Sequence, residues 1–352
     1  MSRFLKDRYS KLEVYTPGEQ PRDKKYIKLN TNESPFPPSK GVIKAVNKSE
    51  VKDLRLYSDP TGTALKTALA ELHNVKRENI FLSNGSDDIL NFSFMAFTEK
   101  GAMFPEISYG FYEVFAELHG IESVKVPLKD DFSIDPKDYI GDGRMIVIAN
   151  PNAPTGLCLS VEEIEGILKQ NPDSVVVIDE AYVDFGGQSC YPLIKTYKNL
   201  LVVQTFSKSR SMAGARLGFS IADEELIADL ERIKYSTNPY NINRLTTAAG
   251  VAAVKDNDYY IKNCQKIIAA RDYTTRELEA LGFFVIPSKA NFIFAKSDKI
   301  GGEDLYLKLK ENGILVRHFT KEKIKDFNRI TVGSQKEMEA FIKVTKQILE
   351  GK

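Results

Sequence analysis

Lys208 stands just past the apolar run Leu200–Val203, among the hydroxyls of Thr205 and Ser207, with Gly214, Arg216 and Gly218 following. A lysine held in such a partly desolvated setting can condense with a carbonyl to form a Schiff base. Asp179 also ends an apolar run, Val175–Ile178, and a carboxylate buried there needs a cationic partner. The stretch "NGSDD", residues 84–88, can open backbone amides at a helix start to a phosphate. Arg216, with Thr205 and Ser207, can close the other side of such a cup. Taken singly, each has an ordinary reading: a surface lysine, a structural salt bridge at Asp179, a helix cap at Ser86 and a surface salt bridge at Arg216. Their shared position at strand ends points to one site.

That position follows from the elements around them. "NIFLSNGS", "RMIVIANPNAPTG", "SVVVIDEAY" and "LLVVQTFSK" are apolar without polar alternation, as strands of a helix-covered parallel sheet are. "GTALKTALAELHN" sets Leu65, Ala68, Leu69 and Leu72 on one helical face. Ser160 and Glu163 have capping-box spacing before a further helix. The alternation predicts a doubly wound α/β core. Its ligand crevice lies beyond the carboxyl ends of the strands. Those ends deliver residues 83–88, then 150–156, then Asp179, Glu180 and Tyr182, then Thr205, Ser207 and Lys208. Longer helices follow over "EELIADLERIKY" and residues 258–281. Strand-like "FFVIP", "NFIFAK", "ILVRHF" and "RITVG" then mix with two helices. The layout is an N-terminal arm over 1–35, a large domain over 36–257 and a smaller α+β domain over 258–352.

Composition narrows the partners. The 352 residues carry a net charge of +1 with 42% hydrophobic and 28% charged residues, so nothing points to nucleic acid or an anionic membrane. No apolar run approaches the roughly 20 residues that span a bilayer. The charged N-terminus lacks the apolar stretch of a signal peptide, so a cytoplasmic location is expected. Cys158, Cys190 and Cys264 are scattered, so no metal is expected. Neither a G-x-x-x-x-G-K-[ST] loop nor a G-x-G-x-x-G turn follows a strand, which disfavours a nucleotide.

Read in order, "NGSD", "NPNAPTG", "DEAY", "SKS" and "RLG" resemble the pyridoxal-phosphate aminotransferases of fold type I. Within that family "LNTNESPF", "LYSDPTG", "SYGFY", "ILVRHF" and "RITVG" are similar to the branch that moves the amino group of histidinol phosphate to 2-oxoglutarate. The resemblance implies pyridoxal 5'-phosphate held covalently by Lys208, which also moves the substrate proton. It implies Asp179 opposite the pyridine nitrogen, Tyr182 on the phenolic oxygen and Tyr109 stacked on the ring. Gly85, Ser86, Asp87, Thr205, Ser207 and Arg216 would hold the phosphate. Tyr57 would reach the phosphate of a neighbouring subunit, which implies a homodimer with shared sites. Arg329, with Arg317, Tyr15 and Asn32, would grip the anionic end of a small amino donor or 2-oxo acid.

Four features depart from that pattern, one of them Asp88 of "SDD", where glutamate is frequent. Ala153 stands where the family usually has asparagine before Pro-Thr-Gly, so the amide contact to the phenolic oxygen would be missing or made by Asn152. Ser58 stands where proline is common. Ser209 and Arg210 replace the commoner Ala-Phe after the lysine. An aromatic or broad-specificity aminotransferase would keep the same cofactor residues. A decarboxylase of a phosphorylated amino acid is a more distant alternative, and a non-catalytic binding module on this fold is a third.

Overall fold

The computed structural model describes residues 5, 6, 9, 12 and 16–351. A short strand β1 (Ile27–Lys28) precedes a seven-stranded sheet. That sheet comprises β2 (Ile80–Ser83), β3 (Ala102–Pro105), β4 (Ser123–Val126), β5 (Met145–Ala149), β6 (Val176–Asp179), β7 (Leu200–Thr205) and β8 (Gly218–Ala222), in the order β2-β8-β7-β6-β5-β3-β4. All its pairings are parallel except those of β8, which runs against both β2 and β7. The β7–β8 connection holds no helix able to carry the chain back across the sheet, and a parallel return needs such a crossover. Because β8 opposes both neighbours, β2 points the same way as β7. The carboxyl ends of β2, β5, β6 and β7 therefore share one edge, as their sequences predict.

Side chains alternate along these strands, and both faces are covered. Ile146, Ile148, Val176, Ile178, Leu200 and Val202 pack into the core on one face. Met145, Val147, Ala149, Val177, Leu201 and Val203 pack on the other, against Phe92, Phe94, Tyr112 and Phe115 of two helices. Those helices are Ser86–Ala96 and Phe111–His119. The capping box at Ser160 and Glu163 is made, and it opens the helix Val161–Gln170.

The long helix Asn257–Ala280 leads to a second sheet. It contains β9 (Phe283–Ile286), β10 (Phe292–Ser297), β12 (Arg317–His318) and β13 (Asn328–Thr331), ordered β12-β13-β10-β9 and antiparallel throughout. Between them β11 (Ile314–Leu315) pairs in parallel with β1, which ties the N-terminal segment to this second unit. Among the described residues no helix is long and apolar enough to cross a membrane.

Candidate active site

Counting in twos along β6 and β7 places the acidic group. Asp179 lies two residues beyond Val177 and faces the side of the sheet that holds Tyr112, while Glu180 points to the other side. Glu180 accepts from the Ser189 hydroxyl, the Cys190 N–H at 2.8 Å and the Gln204 amide at 2.8 Å. Burial pushes its carboxyl up to about 7. It belongs to that internal network and not to the rim, a correction to its placement beside Asp179 and Tyr182.

Asp179 is 4% exposed yet reaches a cavity of about 340 Å³ at the strand ends. Burial pushes its carboxyl up to about 6, against the pull of the Tyr112 hydroxyl and the Ala181 N–H. A desolvated carboxylate facing a cavity suits a cationic ring nitrogen brought in by a ligand. Ser86, Asp87, Tyr109, Tyr182, Thr205, Ser207, Lys208 and Arg216 line the same cavity. Lys208 donates to the Thr31 carbonyl at 3.4 Å and lies 5.8 Å from the Tyr182 ring centroid.

The phosphate end is shaped by backbone. Gly85 is the N-cap of Ser86–Ala96 at φ +87° and supplies no side-chain acceptor to the first-turn amides, which suits an outside anion. A Cβ at Gly85 would lie 2.6 Å from Arg216 Nη2, and one at Gly218 would lie 2.5 Å from Ser86 N. Both glycines thus permit the arginine and β8 to close on the helix start. Arg216 itself sits at φ +52°, uncommon for a side-chain-bearing residue and a mark of a constrained position. Its Nη2 donates to Asp87 Oδ2 at 2.8 Å, and the Tyr109 hydroxyl donates to Asp87 Oδ1 at 2.8 Å. Thr205 and Ser207 are linked at 3.0 Å beside them. Helix amides, two hydroxyls and a guanidinium fit a phosphate, while lysine and aspartate on the same wall fit the aldehyde and the ring nitrogen of a pyridoxal.

A second cavity, about 630 Å³, adjoins the first, and Thr31, Tyr109, Ala153, Tyr182 and Lys208 line both. Arg317 and Arg329 line the second. The Arg329 guanidinium lies 5.4 Å from the Phe292 ring and 5.8 Å from the Phe319 ring, and its Nη2 donates to the Asn30 carbonyl at 3.2 Å. Arg317 donates to the carbonyls of Thr16 and Pro17. Asn32 spans the seam: its amide donates to the Tyr182 hydroxyl at 3.0 Å and accepts from the Thr331 hydroxyl at 3.0 Å.

Some expected residues stand elsewhere. Asn152 does not line either cavity. Its amide donates to the Ile107 carbonyl and to Thr155, and it accepts from Ser108, so the loop's own geometry occupies it. Ala153, the departure from the family pattern, is the residue at the cavity wall. Tyr57 is 80% exposed and stacks on Tyr240 at 4.4 Å, and it lines neither of these two cavities. Tyr15 lies outside the described residues. Thr31 and Glu33 line the first cavity without having been expected there, since nothing in "LNTNESPF" shows which residues turn inward.

The chain is similar to known proteins in sequence and in fold. The model described as "Aminotransferase class I and II" matches residues 24–344. A histidinol-phosphate aminotransferase of Brachyspira hyodysenteriae is 53% identical, covering 99% of this chain and 100% of the relative. One of Clostridium acetobutylicum is 47% identical over 99% of this chain and 100% of the relative. Among solved structures, the histidinol-phosphate aminotransferase from Clostridium acetobutylicum superimposes with a TM-score of 0.86 at 27% identity, covering 92% of this chain and 99% of that one. The one from Sinorhizobium meliloti, in complex with pyridoxal-5'-phosphate, superimposes with a TM-score of 0.89 at 23% identity, over 100% and 99% of the two chains. At that identity the likeness is one of fold.

Proposed function

This chain belongs to the class I and II aminotransferases, and from that premise we propose that it is a pyridoxal-phosphate-dependent transaminase acting on histidinol phosphate and 2-oxoglutarate. The observation that carries this reading is the junction of two cavities at Lys208, one suited to the cofactor and one holding two arginines. When bound, the cofactor supplies an electron sink for the pair left on the substrate α-carbon. Lys208 Nζ holds the cofactor and moves the proton at that carbon. Asp179 keeps the ring nitrogen protonated. Tyr182, fixed by Asn32, orients the phenolic oxygen, and Tyr109 covers the ring face. The backbone at Gly85, Ser86 and Asp87, the hydroxyls of Thr205 and Ser207, and the Arg216 guanidinium bind the phosphate. The division into an arm over 1–35, a large unit over 36–257 and a smaller one over 258–352 is supported by the separate seven- and four-stranded sheets and by the β1–β11 pairing, and a cytoplasmic site of action fits this chemistry.

Arg329 and Arg317 grip the anionic end of each substrate. One guanidinium fork serves a phosphate and a carboxylate alike, so a single pocket accepts both substrates. The test is kcat/KM for histidinol phosphate, glutamate and phenylalanine in the wild type and in Arg329→Ala. The wild type should prefer histidinol phosphate. A charge-assisted hydrogen bond contributes on the order of 1.5–3 kcal/mol, so the variant should lose about 10- to 100-fold on the two substrates with a distal anion. Phenylalanine falls less if Arg329 holds the distal end, and equally if it holds the α-carboxylate. No loss on any substrate rejects the role, and a wild type that favours phenylalanine replaces the substrate assignment with an aromatic one.

The exposed Tyr57 completes the phosphate site of a second subunit in a homodimer. Lys208→Ala and Tyr57→Ala should each be impaired, and mixed dimers of the two should regain activity at the site that combines the intact halves. Hybrids verified by mass spectrometry with no gain over either parent count against shared sites.

A further inference from the structure

Tyr112 has no part in the roles assigned above, yet its hydroxyl donates to Asp179 Oδ2 at 2.8 Å. It is completely buried on the helix Phe111–His119. Its ring meets Tyr109 edge-on at 5.7 Å and Phe104 at 6.0 Å. A phenylalanine would fill that space equally well, and a buried hydroxyl carries a desolvation cost unless it has a partner. Here the partner is the carboxylate that faces the cavity. Burial, and the adjacent Asp179 charge, hold the phenol well above its ordinary titration range, so the hydroxyl remains a donor under all working conditions.

We infer that Tyr112 is a positioning residue for Asp179: its hydroxyl fixes one carboxylate oxygen and favours the ionised form opposite the pyridine nitrogen. This rests on the aminotransferase reading, because only a bound pyridinium gives the carboxylate its task. The charged and titratable groups around Asp179 act in both directions. Asp87, on the helix Ser86–Ala96, disfavours its charge, while Lys208, on the loop after β7, favours it. Tyr109 and Tyr182 flank Tyr112. Of the influences that oppose burial, the Tyr112 hydrogen bond is the largest, ahead of the Ala181 N–H. A donor to the charged form lowers a carboxyl's titration.

The test starts from cofactor-free protein with ¹³C-labelled aspartate, so it reads Asp179 without any turnover. Tyr112→Phe should move the Asp179 midpoint from near pH 6 to about pH 7 or above, the size expected for losing a hydrogen bond to a charged group. Fluorotyrosine placed at position 112 alone, a stronger donor in the same shape, should move it below the wild type. With ¹⁵N-labelled pyridoxal phosphate bound, Tyr112→Phe should lower the pH at which the ring nitrogen loses its proton. The same variant should lose about 10-fold in kcat with KM little changed. An unmoved Asp179 midpoint in a variant with wild-type circular dichroism shows a packing residue only and overturns the inference. If Tyr112→Phe does not fold, the fluorotyrosine protein decides, and no shift there overturns it as well. A shifted aspartate with an unchanged ring nitrogen also overturns it. Failure of the aminotransferase reading itself looks different: no transamination and no bound cofactor in the wild type, with the cofactor-free titration still coupled to Tyr112.

Discussion

Lys208→Ala should bind pyridoxal phosphate loosely and transaminate at a rate lowered by about 10⁴-fold, the upper end of what one positioned proton-transfer group supplies. Lys208 is the charged residue that lines both cavities, so it alone can be bonded to the cofactor and also reach the α-carbon of a substrate held by Arg329. The loss should fall on kcat, since the residues assigned to the phosphate, Gly85, Ser86, Asp87, Thr205, Ser207 and Arg216, are untouched. Stability should change little, because the ammonium makes a single long hydrogen bond, to Thr31 at 3.4 Å, and substitutions away from core features stay near ±0.5 kcal/mol. Small primary amines should restore part of the rate by standing in for the missing base. Borohydride reduction of the wild type should place the cofactor mass on the peptide containing Lys208. Turnover by Lys208→Ala near the wild-type rate, or the mass on another lysine, would remove this residue from the chemistry.

The parts of the site legible in the sequence are those that end an apolar strand. Asp179 and Lys208 follow runs of valine, isoleucine and leucine that can only be buried strands, and such strands deliver their next residues to one edge. Even the divergence of Glu180 from Asp179 is contained in the two-residue period of a strand. Tyr112 is a different case. On its amphipathic helix it reads as one more core aromatic, and its partner is 67 positions away in sequence. Only the tertiary packing of that helix over the sheet brings the two together. Asn152 is the opposite case: its motif marks it, and only the structure shows that its amide donates to the Ile107 carbonyl and to Thr155. The antiparallel β8 is hidden because "RLGFSIA" carries a motif and a strand in the same residues, and its direction depends on the length and path of the preceding loop. Tyr57 is a further case: it is 80% exposed and stacks on Tyr240, and the role proposed for it requires a second copy of the chain.

Asp179→Asn should produce two effects of opposite sign. With cofactor and substrate, kcat should fall by about 10²- to 10⁴-fold, because removing one partner of a buried ion pair costs about 3–5 kcal/mol. An amide cannot hold the ring nitrogen protonated, so the electron sink weakens in the transition state while substrate contacts persist, and KM should move less than kcat. Without cofactor the variant should be the more stable protein at neutral pH. The carboxyl is held at about 6 in the fold against 3.8 for the free group. A folded-state value raised in this way means that the native state binds the proton more tightly than the unfolded chain does. Its contribution is therefore present in full below about pH 3.8 and is lost as pH rises through about 6, an amount of about 3 kcal/mol for a shift of this size. Asparagine has no proton to lose and should not show that decline. Urea midpoints of the two cofactor-free proteins should then be similar at pH 4 and diverge by pH 7.5, with the variant higher. Groups common to both, Glu180 among them, cancel in the difference. Adding pyridoxal phosphate should reverse the order, since the ring nitrogen supplies the cation that the buried carboxylate lacks. A wild type that keeps pace with the variant from pH 4 to 7.5 would show that Asp179 carries no strained charge. An unchanged kcat in Asp179→Asn would remove it from the reaction.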